Sequence, residues 1–169
     1  VCIEAIIYAD SPDYAKLRKS TAMWRPAAIY EHDLLWLFYT SGTTGRPKGV
    51  MISAGNISAM ALSYFSDVDE VSSEDAILYA APMSHGAGIY NFMHVIKGAR
   101  HVVPRSHGFD EDEILKLAPK IKNISMFAAP TMVKRLVERA RVIGSTGVGI
   151  KTIIYAGGPM YVVDIIAAV

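Results

Sequence analysis

The sequence predicts an α/β fold, a mostly parallel β-sheet flanked by helices. Three observations carry this reading. Five apolar runs of strand length recur, at residues 34–39, 76–81, 100–103, 124–128 and 150–155. Most are separated by stretches whose apolar residues fall at helical spacing, which implies βαβ units. Turns rich in Gly, Pro and hydroxyl groups follow three of the runs, where the ligands of such sheets bind.

Taken in order, residues 3–8 read as an opening strand. Ser11 is placed to cap a short helix over 14–21, with Pro12 at the first position, where a missing N–H costs nothing. Residues 24–33 connect irregularly to the run 34–39. After a Gly-rich loop, Ser53 caps a helix to about Phe65, with Ile57, Met60, Ala61, Tyr64 and Phe65 on one face. The stretch 66–75, with Asp67, Asp69, Glu70, Glu74 and Asp75, reads as a solvated acidic loop without calcium-loop spacing. Pro82 ends the run 76–81, and 85–97 reads as loop then helix, with Gly98 to stop it. Asp110 starts a helix whose Glu111, Asp112 and Glu113 suit the positive end of its dipole, and whose inner face is Ile114, Leu117 and Ile121. Pro130 opens another, to about Arg141, burying Met132, Val133, Leu136, Val137 and Ala140. Residues 144–149 connect to the last strand, and 161–169 read as a helix. Both ends fall inside expected elements, which predicts a piece of a longer polypeptide.

With 169 residues, 51% of them hydrophobic and 20% charged, the chain holds enough apolar matter for one domain and is no disordered polyelectrolyte. A net charge of +1 offers no footprint for nucleic acid or an anionic membrane, and no apolar run is long enough to span a bilayer. The single cysteine, Cys2, cannot form an internal disulfide, which suits the reducing cytoplasm. His32, His94, His101 and His107 show no metal-ligand spacing, and no metal ligands are expected in the chain.

The chemistry concentrates in Thr40-Ser41-Gly42-Thr43-Thr44-Gly45-Arg46-Pro47-Lys48-Gly49. Glycines let the backbone approach an anion so that successive N–H groups converge on it. Hydroxyls add short donors, and Lys48 adds a mobile charge suited to phosphate oxygens. This reads as a polyphosphate loop. It is not the P-loop of nucleotide hydrolases, because Pro47 precedes Lys48 and Gly49 follows it, with no hydroxyl after the Lys to hold magnesium. Two further turns follow strands: Pro82-Met83-Ser84-His85-Gly86-Ala87-Gly88 and Gly157-Gly158-Pro159.

The run from Leu37 through Lys48 resembles the signature of the AMP-forming adenylating enzymes: acyl-CoA synthetases, luciferases and the adenylation domains of peptide synthetases. The Pro-His-Gly pattern around His85 and the Gly157–Pro159 turn are similar to that family's second and third motifs. The stretch 85–134 is similar to the fatty-acyl-CoA synthetase branch. The resemblance implies a fragment of the large N-terminal domain, without the C-terminal domain, of an enzyme that joins a carboxylic acid, here a fatty acid, to coenzyme A through an acyl-adenylate. It implies that Thr40, Ser41, Gly42, Thr43, Thr44, Gly45 and Lys48 hold the phosphates of ATP with magnesium assisting. It also implies that His85 borders the carboxylate pocket, and that Gly157, Gly158 and Pro159 pack against the adenine and the acyl group. The family's downstream adenine, ribose and catalytic-Lys motifs are not in these 169 residues, so the chain alone is expected to be inactive. Two other classes stay open: an inert structural fragment, and a phosphate-binding module of other chemistry such as a nucleotide hydrolase.

Overall fold

The computed structural model describes residues 6–22, 25–40 and 45–169. The chain divides into two units, residues 1–30 and 31–169. In the first, helix α1 (Pro12–Arg18) is capped by Ser11, whose hydroxyl accepts from the Tyr14 N–H at 3.2 Å. The helix stops three residues short of the expected Thr21. Of the expected opening strand, residues 3–5 lie outside the described residues, and 6–8 are not in a strand.

The second unit holds two sheets. One is a parallel sheet of four strands in the order β4 (Arg100–Val102), β3 (Ala76–Leu78), β5 (Ile124–Ala128), β6 (Ile150–Tyr155). Ala76 pairs with both Arg100 and Ile124, and Ala128 with Tyr155, so the carboxyl ends of the strands share one edge. Strand β3 is shorter than the run 76–81, although the Tyr79 N–H still donates to the Val102 carbonyl at 2.9 Å.

The other sheet corrects the sequence reading. Strand β1 (Leu34–Thr40) does not join the parallel sheet; it pairs antiparallel with β2 (Lys48–Ser53), where the sequence reading passes from loop straight toward a helix. Val50, Met51 and Ile52 are the reason. They are an apolar, partly β-branched run that pairs with Phe38, Leu37 and Trp36 across a hairpin. Helix α2 (Ala54–Asp67) then follows, capped by Ser53 in a reciprocal pair with Asn56.

Helices cover both faces of the parallel sheet. Helices α4 (Glu111–Ile121) and α5 (Pro130–Ile143) contribute Ile114, Leu115, Ala118, Val133 and Leu136 to one core cluster, together with Leu78, Met126 and Ile153. Helices α2 and α3 (Asn91–Ile96) supply Ala61, Tyr64 and Met93 to a second cluster that includes Ile154. Neighbours on a strand point to opposite faces, so Ile153 and Ile154 place these clusters on the two sides of β6. Between α4 and α5, Glu111 pairs with Arg135 at 2.6 Å, and Asp112 holds Arg139 through two hydrogen bonds of 2.7 and 3.0 Å. Helix α6 (Val162–Ala168) ends the chain.

The acidic stretch after α2 is not the solvated loop its composition suggests. Glu70 and Glu74 are exposed, but the side chains of Asp69 and Asp75 are only 7% and 5% exposed. Lys151, the second residue of β6, donates to both carboxylates at 2.9 Å and to the Glu70 carbonyl. Asp69 also accepts from Ser125 at 3.1 Å and Thr152 at 2.8 Å, which ties the loop to β5 and β6.

Candidate active site

The site lies at the carboxyl edge of the parallel sheet and at the loop end of the β1–β2 hairpin. Beyond β3 the chain runs to Pro82, whose carbonyl accepts from the His85 N–H at 3.1 Å. A 3₁₀ turn, Gly86–Tyr90, follows and leads into α3. Gly88 is obligatory there: a Cβ at that position would lie 1.9 Å from the Met83 carbonyl oxygen and 3.3 Å from Trp36 Cη2. The turn rests on β5 through Tyr90, whose ring stacks on Phe127 at 5.8 Å.

His85 caps this turn. Its Nδ1 accepts from the Gly86 N–H at 2.7 Å, and its exposed ring stands edge-on to Phe38, 5.0 Å between centroids. Phe38 in turn packs against Trp36 at 6.0 Å, and Trp36 against Phe92 of α3 at the same separation. Trp36 and Phe38 alternate along β1, so one aromatic face of the hairpin lies on the His85 turn and α3.

Two residues beyond Phe38, Thr40 pairs with Lys48 across the hairpin. Both are exposed, and Lys48 has no ion-pair partner among the described residues. Ser41, Gly42, Thr43 and Thr44 lie outside the described residues. Gly45 has a φ of +77°, a left-handed turn conformation that suits a residue without a Cβ. Lys48 and Gly49 therefore sit in a strand rather than in the loop where the sequence reading put them. The flat ring of Tyr39 lies over Gly49, 3.4 Å from where a Cβ would stand.

The third turn follows β6. Gly157 has a φ of +87°, and Gly158 sits against Pro130, whose Cγ is 3.9 Å from where a Cβ would stand. Gly157, Gly158 and Pro159 are all exposed. The structure thus places the His85 turn and the Gly157–Pro159 turn on either side of the end of β5. The hairpin joins His85 through Phe38.

Behind the exposed groups the site is supported by neutral buried ones. Burial pushes the Tyr79 phenol up to about 12, and its hydroxyl hydrogen-bonds His101 Nδ1 at 2.8 Å. Burial also pushes His94 below its ordinary value, against the opposing effect of its bond to the Tyr90 carbonyl at 2.8 Å, so His94 is neutral and ties α3 to the end of the turn. Among the described residues no group of three or more His, Cys, Asp or Glu side chains could hold a metal ion. None of the described helices is long and apolar enough to cross a membrane.

A family model described as AMP-binding enzyme matches residues 2–165. The chain belongs to the AMP-binding enzyme family. A feruloyl-CoA synthase of Amycolatopsis sp is 29% identical over 130 residues, 76% of this chain and 26% of that protein. A 2-succinylbenzoate–CoA ligase of Listeria innocua is 32% identical over 123 residues, 73% of this chain and 26% of that protein. Among solved structures, the O-succinylbenzoate coenzyme A synthetase of Bacillus subtilis, in complex with ATP and magnesium ion, superposes with a TM-score of 0.74 at 26% identity, over 90% of this chain and 32% of that one. The chain thus spans about a quarter of the length of these two curated relatives and about a third of that solved chain. The N-terminal domain of FACL13 from Mycobacterium tuberculosis superposes with a TM-score of 0.77 at 24% identity, over 91% of this chain and 38% of that one, and shares the fold.

Sequence reasoning missed Phe38 and Trp36 as site-building residues. Their i, i+2 spacing in the run Leu34-Leu35-Trp36-Leu37-Phe38-Tyr39 was the available signal: two large rings on one strand face call for a partner surface.

Proposed function

We propose that this chain is a fragment of the N-terminal domain of an AMP-forming acid–thiol ligase, and that the hairpin end and the His85 turn form part of its ATP and carboxylate site. The reading rests above all on one observation. Lys48, exposed and without an ion-pair partner among the described residues, closes a hairpin whose aromatic face carries His85. Buried or structural lysines are paired; one left open beside a Gly and hydroxyl loop is suited to an anion.

In this reading a carboxylate oxygen attacks the α-phosphorus of ATP, the bond to the bridging oxygen breaks, and pyrophosphate leaves. The thiol of coenzyme A then displaces AMP from the acyl-adenylate. Lys48, Thr40, Ser41, Gly42, Thr43, Thr44 and Gly45 hold the β- and γ-phosphates, where preorganised donors lower the cost of developing charge. Magnesium, carried with the triphosphate, neutralises part of that charge. His85 faces the carboxylate, and Gly157, Gly158 and Pro159 form the backbone wall beside adenine and acyl group. The acid is a fatty acid in our reading, and the enzyme works in the cytoplasm. The named acids of the relatives include aromatic ones, so the acyl class is tested directly.

The experiment is ATP–pyrophosphate exchange by the full-length protein, with fatty acids of graded length alongside feruloyl-type and succinylbenzoyl-type acids. Exchange that depends on a fatty acid supports the whole reading. Exchange with aryl acids alone retains the adenylation and replaces the acid. ATP hydrolysis without exchange overturns adenylation in favour of a hydrolase.

A further inference from the structure

The geometry around His85 points to a residue that sets how this imidazole meets its substrate: we propose that Phe38 is a positioning residue, and that with the Gly86 N–H it holds His85 as the neutral tautomer that donates through Nε2. This deepens the function proposed above and rests on it for the identity of the carboxylate. The geometry itself does not depend on that reading.

A main-chain N–H only donates, so the 2.7 Å contact from Gly86 requires a lone pair on Nδ1. The neutral ring then carries its proton on Nε2. Nε2 has no hydrogen-bond partner among the described residues, and the side chain is exposed, so its N–H is open to a ligand. A contact to the residue's own neighbour holds only at one range of ring torsions. An exposed imidazole is otherwise free to rotate between staggered positions. Phe38 supplies the restraint, standing edge-on at 5.0 Å with an interplanar angle of 68°. Phe38 is itself held by Trp36, and Trp36 by Phe92 and by the floor of Gly88, so the restraint leads back into the folded body.

The consequence is a specificity device. A neutral His85 with Nδ1 already engaged can only donate toward the site, so it selects atoms that accept, such as carboxylate oxygens, and offers nothing to an ammonium group. The strand that ends in the phosphate loop and the ring that meets the acid are thereby fixed by one side chain.

The test is nuclear magnetic resonance on the full-length protein, selectively ¹⁵N-labelled at histidine and glycine, with no substrate added. A scalar coupling across the hydrogen bond, between the Gly86 amide nitrogen and His85 Nδ1, reports the contact directly, and the imidazole ¹⁵N shifts report the tautomer. The expected result is a measurable coupling and a single Nε2–H tautomer in the parent chain. Phe38→Leu should lose the coupling and mix the tautomers, and Phe38→Tyr should restore both. Absence of the coupling in the parent chain overturns the tautomer assignment. A coupling that survives in Phe38→Leu overturns the positioning role. Because these readouts need neither ATP nor acid, they can fail while pyrophosphate exchange succeeds, or succeed while exchange fails.

Discussion

The two edges of the parallel sheet treat charge in opposite ways. At the amino edge, Lys151 is enclosed by Asp69, Asp75 and the Glu70 carbonyl, and each carboxylate has a further donor. Arg100 nearby donates to the carbonyls of Glu74 at 2.7 Å and Ile121 at 2.9 Å. At the carboxyl edge and the hairpin end, Lys48, His85 and the Gly157–Pro159 turn are exposed, and Lys48 is without an ion pair among the described residues. The difference teaches how to sort charged residues of one chain. A lysine whose donors are all spent inside the protein holds the fold, whereas one left open at a strand end is available to a ligand.

The largest effect that would break this contrast is expected from Lys151→Met. Removing the cation leaves two buried carboxylates uncompensated, which should cost about 3 kcal/mol, the low end for a broken buried pair because the lysine side chain keeps some contact with water. Urea unfolding reads it. A loss below about 0.5 kcal/mol would mean that the cluster behaves as an ordinary surface ion pair.

Next comes Gly88→Ala, which puts a methyl group against the Met83 carbonyl and should cost about 2 kcal/mol by overpacking while displacing the His85 turn. Unchanged stability and unchanged His85 resonances would show that the turn has room to spare.

A smaller effect follows from pH. Burial alone would raise the Asp75 carboxyl, but the Lys151 hydrogen bond, the Ser72 N–H and the Lys151 charge outweigh it and hold it below the usual carboxylate range. A carboxyl whose folded value is depressed stabilises the protein above its unfolded value, and that stability is lost as pH falls through the folded value. For Lys151 burial again opposes, and its bonds to Asp75 and Asp69 prevail, raising it; its contribution is present below the unfolded lysine value and is lost as pH rises through the folded one. Unfolding free energy should therefore fall off on both the acid and the strongly alkaline side, and Lys151→Met should flatten both limbs. Limbs of equal steepness in the variant would contradict the network.

How much of this was legible beforehand follows from which contacts are local. Helices α2, α4 and α5 were readable because caps such as Ser53 and Asp110 and stripes such as Val133 and Leu136 lie within one segment. The parallel strands followed from their apolar runs. Strand β2 was not readable, since Val50, Met51 and Ile52 acquire a strand partner only through pairing with β1. The acidic cluster was misread because Asp75 meets its cation 76 residues further along the chain. In the site, Lys48, His85 and the Gly157–Pro159 turn stood out by residue type, whereas Phe38 needed the hairpin to show which ring it faces.

The smallest stability effect belongs to Lys48→Ala, and it is the most direct test of the central claim. An exposed strand-end lysine should cost less than about 0.5 kcal/mol in unfolding. Carboxylate-dependent pyrophosphate exchange by the full-length protein should fall on the order of 100-fold, as for the loss of one preorganised donor to developing charge. That pairing, intact fold with lost exchange, is the predicted result. Exchange at the unsubstituted rate in Lys48→Ala would contradict the account.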